Sequence, residues 1–191
     1  MDSMYEILMG LPLFKGVSRE KISEIVEKAK FHFLKYLESL VAAHEACTHI
    51  KFIISGSVRL SISNYNERFK VSQTLHAPNV IAPDFLFGKA PFYPCAGVAV
   101  EPTGILQISK NDYMHILNND EVFLFNFLNV LSMNAQKAVD GILAITSGNL
   151  EERIAFWIVA LTQRGGTDIT LACKQRDLYS LFGVQRTSLI N

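Results

Sequence analysis

This chain has little with which to do redox or metal chemistry. Its 191 residues hold three cysteines, Cys47, Cys95 and Cys173, far apart and with no C-x-x-C pair. An iron–sulfur centre needs about four cysteine ligands, and a disulfide-built secreted fold needs more and closer ones. Neither is expected, and the thiols read as small buried hydrophobes of a cytoplasmic protein. His32, His44, His49, His76 and Cys95 are conceivable axial haem ligands, yet none has a distinguishing neighbour pattern. The metal-ligand spacing H-x-H with a downstream Glu is missing too, so no metal and no cofactor is expected. Long apolar runs are absent: nothing approaches the roughly 18 uncharged apolar residues of a membrane span. The amino terminus "MDSMYEILMG" lacks the basic start and apolar stretch of a signal peptide. No G-x-S-x-G, P-loop or H-E-x-x-H occurs, and an enzyme is not expected. Net charge is zero, which argues against a protein that coats nucleic acid generally. One further lack is local: no arginine lies between Arg68 and Arg153.

What is present is a core and an order of elements. Hydrophobic residues make up 49% and charged residues 19%, enough to bury a sizeable interior. Ser18 is a good N-cap for "REKISEIVEKAK", with Lys21 in place of the Glu or Gln of a capping box; Ile22, Ile25, Val26 and Ala29 share one helical face. From Phe31 to about Ser109 the pattern becomes short β-rich runs: "KFHFLKYL", "HIKFIIS", "SVRLSIS", "KVSQTLH", "AGVAV" and "GILQIS". Turn residues separate them at spacings near ten, as in an antiparallel roll or barrel. "KNDYMHILNND" then reads as a short helix.

A long helix follows. Leu124, Leu128, Leu131, Ala135, Ala138, Ile142 and Ile145 step by four and three alternately, a heptad seam over three repeats. Phe123, Phe127 and Val130 beside it suit burial in the same subunit, so one side would pack on the roll while the seam meets a second copy in parallel. Gly148 ends this helix. Asn149 with Glu152 three residues on is a capping box for "LEERIAFWIVAL", and "DITLACK" reads as a short strand.

The closing "QRDLYSLFGVQRTSLIN" has the pattern of a helix-turn-helix. Leu178, Leu181 and Phe182 give a first helix its apolar face, Gly183 the turn, Val184 the corner plug, and Leu189 with Ile190 the anchor of a second helix. Arg186, Thr187 and Ser188 would open that second helix, where side chains reach base edges in the major groove. An ordinary helical hairpin is the bland alternative. Tyr179 stands at a tight interhelical position that usually takes Ala.

The succession of a β-roll with "FIISGSVRL", the seam helix, "EERIAFWIVAL" and "QRDLYSLFGVQRTSL" resembles the Crp/Fnr family of bacterial transcription regulators. The resemblance implies an α+β chain. Residues 1–120 would form a cyclic-nucleotide-binding-like antiparallel β-roll that senses an effector. Residues 121–147 would be a dimerisation helix, and residues 148–191 a winged helix-turn-helix lacking its last part, since a family member continues for a few dozen residues more. It implies DNA-contacting roles for Gln175, Gln185, Arg186, Thr187 and Ser188. The implied partners are double-stranded promoter DNA, a second copy, RNA polymerase and an unknown small-molecule effector, with no membrane.

The sensor pocket departs from that family. Members that bind cyclic AMP carry a Gly-Glu pair at a short helix and an Arg soon after, which hold the cyclic phosphate and the ribose hydroxyl. Here Ala82-Pro83 takes the Gly-Glu place, the Arg place falls near Pro94-Cys95, and His44 replaces a turn glycine. Lys89 is the one cation of that stretch. Pro83, Phe85, Phe87, Lys89, Phe92, Tyr93 and Cys95 would make either a self-filled core or an apolar effector pocket with Lys89 as its polar anchor. Cyclic AMP is not the expected effector.

Overall fold

In the computed structural model, residues 2–146 and 148–185 are described. Two short helices open the chain, α1 (Asp2–Met9) and α2 (Arg19–Lys28), with a 3-10 turn at Pro12–Phe14 between them. Ser18 caps α2, its hydroxyl accepting from the Lys21 amide at 3.3 Å. Ile22 and Ile25 go into the core, and Val26 packs on its edge.

Eight strands build the roll: β1 (Lys30–Leu34), β2 (Ser39–Val41), β3 (His49–Ser55), β4 (Ser57–Ser63), β5 (Phe69–His76), β6 (Asn79–Ile81), β7 (Ala96–Ala99) and β8 (Thr103–Ser109). All pair antiparallel in two sheets, one of order β1-β8-β3-β6. The six expected runs all become strands; β2 and β6, of three residues each, have too short a pattern to read in advance. The turn at Gly56 is tight enough to require glycine. Its φ is +76°, and a Cβ there would lie 2.5 Å from the Pro102 carbonyl oxygen, a collision no rotamer relieves.

The core lies between the sheets and beneath the helices. Ile50, Ile53, Val58, Leu60, Leu75, Ile105 and Ile108 are buried. On the outer side Phe14 meets Phe52 and Phe123 edge-on at 5.5 and 5.2 Å, a favourable aromatic geometry. Helix α3 (Lys110–Asn119) starts at Ser109, whose hydroxyl accepts from the Asp112 amide. Helix α4 (Glu121–Ala144) follows, capped by Asp120.

Helix α5 (Leu150–Leu161) begins with the expected capping box: the Asn149 side chain accepts from the Glu152 amide, and the Glu152 carboxylate accepts from the Asn149 amide. It packs back along α4. The close point is Gly141, where a Cβ would sit 2.8 Å from that of Ala160; Lys137 Nζ donates to the Thr162 carbonyl nearby.

After α5 the chain does not leave the roll. Strand β9 (Gly166–Cys173) pairs with β5 from Phe69↔Cys173 to Leu75↔Gly166, making a second sheet of order β2-β7-β4-β5-β9. The expected strand is there, but as an edge strand of this second sheet. Through this strand the described part of the segment expected as a helix-turn-helix unit, residues 148–191, pairs with the roll. Helix α6 (Gln175–Phe182) closes the described chain.

Candidate functional site

The first candidate is the stretch between β6 and β7. Ala82 stands in left-handed backbone (φ 42°, ψ 53°) before a 3-10 turn at Pro83–Phe85. His44 is left-handed as well (φ 66°), its amide donating to the Tyr93 carbonyl at 2.8 Å. Both positions keep the backbone that glycine adopts freely, at a steric cost of about 1–2 kcal/mol for another residue. The turn offers few donors: Pro83 has no N–H, the Phe85 amide is spent on Ala82, and Asp84 adds a carboxylate.

The seven residues grouped here by sequence separate in three dimensions. Phe87 leaves the roll to join an aromatic cluster under α4, its ring 6.5 Å from Tyr113 and 5.8 Å from Phe127. Tyr93 and Cys95 are buried inside the roll and Pro83 is buried on the turn, while Phe85, Lys89 and Phe92 are exposed. Lys89, expected as the polar anchor, lies at the surface. Lys51 is the cation against the buried residues: its Nζ lies 5.1 Å over the Tyr93 ring and donates to the Leu40 carbonyl. Lys110 sits 5.2 Å over Phe87. Lys51 was missed because a lysine in "HIKFIIS" reads as the outward residue of an alternating strand. Its stem lies on the sheet while the ammonium reaches for a carbonyl, and partial burial lowers its pKa.

Around Lys51, burial raises the pKa of the Cys47 thiol and pushes that of Cys95 up to about 11. The Tyr93 hydroxyl donates to the His49 carbonyl at 2.9 Å, and burial raises its pKa. Two surface hollows, of about 170 and 460 Å³, lie elsewhere; neither is lined by any of the seven.

The second candidate is α4. A heptad stripe does pack within the chain, and it is the one that starts at Phe123: Phe127, Val130, Asn134, Lys137, Gly141 and Ala144 are its later members. The expected seam lies one residue further round. Leu124, Leu128, Ala135, Ala138 and Ile142 are exposed, whereas Leu131 and Ile145 are half-buried towards the chain's own body. Phe125, Val139 and Leu143 extend the exposed apolar strip on the other flank. Polar anchors fix the inward face: Asn126 donates to the carbonyls of Leu13 and Lys15, and Asn134 to Asp84.

The third candidate is the closing motif. Gly183 ends α6 in left-handed backbone (φ 62°), its amide bonded to the Tyr179 carbonyl. Gln175 and Gln185 are exposed at either end of this piece. Arg186, Thr187 and Ser188 lie outside the described residues, as do Leu189 and Ile190. Tyr179 buries its hydroxyl, which has no hydrogen-bond partner among the described residues. Arg153, which sequence reasoning did not single out, organises the region. Its guanidinium donates to the Ile145 carbonyl after α4 (2.6 and 2.9 Å) and to the Phe182 carbonyl at the end of α6 (2.7 Å). One cation thus serves the negative ends of two helices. Trp157 stands edge-on to Phe182 at 5.5 Å.

Residues 32–120 match the family model described as the cyclic nucleotide-binding domain. This stretch and its following helices are similar in fold to the sensor domain of the transcriptional regulator DNR from Pseudomonas aeruginosa, at 20% identity and a TM-score of 0.61, over 71% of this chain and 90% of that one. The catabolite activator protein of Thermus thermophilus aligns over 94% of this chain and 84% of its own, at 14% identity and a TM-score of 0.60. A transcriptional regulator from Thermotoga maritima aligns over 66% and 98%, at 19% and 0.60. No curated protein matches the sequence. At these identities the likeness is one of fold, a roll like that of the cyclic nucleotide-binding domain followed by helices. No helix among the described residues is long and apolar enough to cross a membrane.

Proposed function

We propose that the chain is a dimeric, sequence-specific DNA-binding regulator of the Crp/Fnr type, and that its effector is not cyclic AMP or is absent. The observation that carries the reading is the order of parts in space. A roll is followed by a long helix with an exposed apolar strip, and then by α5, strand β9 and α6, which ends at the Gly183 turn. The whole-chain likeness to a catabolite activator protein supports it. Two exposed seams meeting in parallel would set the spacing of two recognition helices. These have to reach half-sites about 34–36 Å apart, along double-stranded promoter DNA where RNA polymerase binds. An effector would act only through different affinities for two such arrangements.

The argument against cyclic AMP is the chemistry of the turn at Ala82–Phe85. An anionic phosphate would meet the Asp84 carboxylate, a proline without an N–H, and the Phe85 and Leu86 amides already bonded, with no guanidinium in the stretch. Isothermal titration is expected to show no micromolar binding. The DNA reading is tested by fluorescence anisotropy of the complete gene product on its own upstream promoter, with salt and competitor DNA titrated. Binding that resists competitor is expected, and Arg186→Ala should relax base preference at one position of each half-site for about 1–3 kcal/mol. Loss of all binding to competitor, with a steep salt slope, would mean charge without reading. No binding at low salt by an intact dimer would favour the second reading: a ligand-binding or scaffold roll that has lost DNA binding. The orphaned Tyr179 hydroxyl and the neutral net charge are what favour it.

A further inference from the structure

We infer that the pairing of β9 with β5 is a releasable, autoinhibitory contact: docked, it holds the first turn of α6 against the roll and away from DNA. The inhibitory half rests on the DNA reading above. The contact is made of parts that tolerate water. Strand β9 contributes no buried residue, and neither does α5 before it. On the roll's side, three of the four buried residues of β5 are polar, namely Ser72, Gln73 and Thr74. Four roll side chains reach the segment, each through a hydrogen bond. Gln73 Oε1 accepts from the Gln163 amide at 2.7 Å, and Asn79 Nδ2 donates to the Arg164 carbonyl at 3.1 Å. His76 is bonded to the Thr167 hydroxyl at 2.8 Å, and Arg59 donates to that of Thr170 at 3.1 Å. Gly166 lets the chain pass Gln73, since a Cβ there would lie 2.5 Å from Oε1. A strand held by exposed hydrogen bonds, with no apolar side chain to bury, opens at far less cost than the roll's packed interior. Polar faces of this kind belong to segments that move against one another.

A hollow of about 460 Å³ shows what docking does to α6. Glu67 and Arg68, from the turn between β4 and β5, form one wall; Lys174, Arg176 and Asp177, at the start of α6, form the other. The pairing Phe69↔Cys173 beside the hollow fixes the two walls against each other. Lys174 and Arg176 flank Gln175, expected among the DNA contacts, and are the cations that a phosphate backbone would meet there. In the docked state they share the hollow with two carboxylates, Glu67 and Asp177, the latter 4.0 Å from Arg176 Nε. A duplex reaching this end of α6 would set its phosphates against Glu67 and the roll's own turn. Release of β9 removes Glu67 while α6 stays attached to α5 through Arg153 and Trp157. A chain that is docked most of the time binds more weakly in proportion to the fraction undocked.

Locking and loosening the dock in the complete gene product tests this. Phe69 and Cys173 are partners across the two strands, so Phe69→Cys can be oxidised to a disulfide with native Cys173 and reduced again. Anisotropy on the upstream promoter is read for both redox forms, with wild type carried through the same oxidant and reductant. Gln73→Leu keeps the side-chain volume and loses the hydrogen bonds; circular dichroism and Trp157 emission check that it folds. The locked form is expected to bind at least about tenfold more weakly than its reduced form, and Gln73→Leu about threefold more tightly than wild type. In hydrogen exchange read by mass spectrometry, residues 166–173 of wild type should open faster than β3 and β8, and about tenfold faster again in Gln73→Leu. A locked form that binds as tightly as the reduced one would overturn the inference and leave the DNA reading standing. So would a β9 that exchanges no faster than β3 and β8, or a Gln73→Leu that exchanges faster yet binds no more tightly. Should Gln73→Leu unfold, the redox pair and the exchange of wild type still decide. Wild type and reduced variant both failing to bind at low salt would overturn the DNA reading, and the inhibitory half of the inference with it.

Discussion

Arg153→Ala should uncouple the closing helix from the rest of the chain without disturbing the roll. The guanidinium makes three hydrogen bonds to two carbonyls, those of Ile145 and Phe182, and lies 5.6 Å over the Phe182 ring. A hydrogen bond from a charged donor contributes about 1.5–3 kcal/mol when sheltered. Arg153 is half-buried, and water can reach the freed carbonyls, so the loss expected is about 2 kcal/mol for the α5–α6 contact. Trp157 is the single tryptophan of the chain and stands against Phe182, so its emission reports that contact directly. With denaturant slopes of about 1–3 kcal/mol per molar urea, its midpoint should fall by about 1 M. The strand signal in far-UV circular dichroism should hold its midpoint, because the roll's core is remote from Arg153. Arg153→Lys, a point charge without the planar fork, should fall between. An unchanged Trp157 midpoint in Arg153→Ala would refute the claim that this side chain ties α4 to α6.

Further consequences concern packing and thiols. Gly141→Ala places a methyl 2.8 Å from the Ala160 Cβ and should cost about 1–2 kcal/mol by overpacking; adding Ala160→Gly should recover part of it in urea titrations, and a neutral Gly141→Ala would mean the helices have room to spare. Maleimide labelling of the folded chain at neutral pH should reach half-buried Cys173 before buried Cys47 and Cys95, and mass spectrometry of timed digests would show the order; labelling of Cys95 first would contradict a filled roll. Burial holds the Cys95 thiol protonated to about 11, whereas an unfolded thiol ionises from its ordinary value of 9.0. The folded chain thus keeps the extra proton in that window, and stability present in full below pH 9 should drain as pH rises towards 11. Cys95→Ala should flatten that slope relative to wild type in urea midpoints at pH 8 and 10; equal slopes would refute it.

The sequence by itself determined what repeats locally. The β-rich runs, the Ser18 cap, the Asn149–Glu152 capping box, the Gly183 turn and the long helix α4 each depend on a few neighbouring residues, and each is present in the fold. On α4 the stripes starting at Phe123 and at Leu124 have the same spacing, and it was the aromatic bulk of Phe123 and Phe127 that pointed to the inward one; the structure buries both. Phe14 and Phe87 wait under them. Candidate effector residues adjacent in sequence went to three different surroundings, since side chains along an irregular stretch point wherever packing leaves space. Lys51, Arg153 and the docking of β9 on β5 were illegible for the same reason. Each is fixed by partners distant in the chain: the Leu40 carbonyl, the Ile145 and Phe182 carbonyls, and the open edge of a sheet nearly a hundred residues earlier. Only the closed fold brings such groups together, because hydrogen bonds and burial act across space while sequence pattern records only what lies nearby along the backbone.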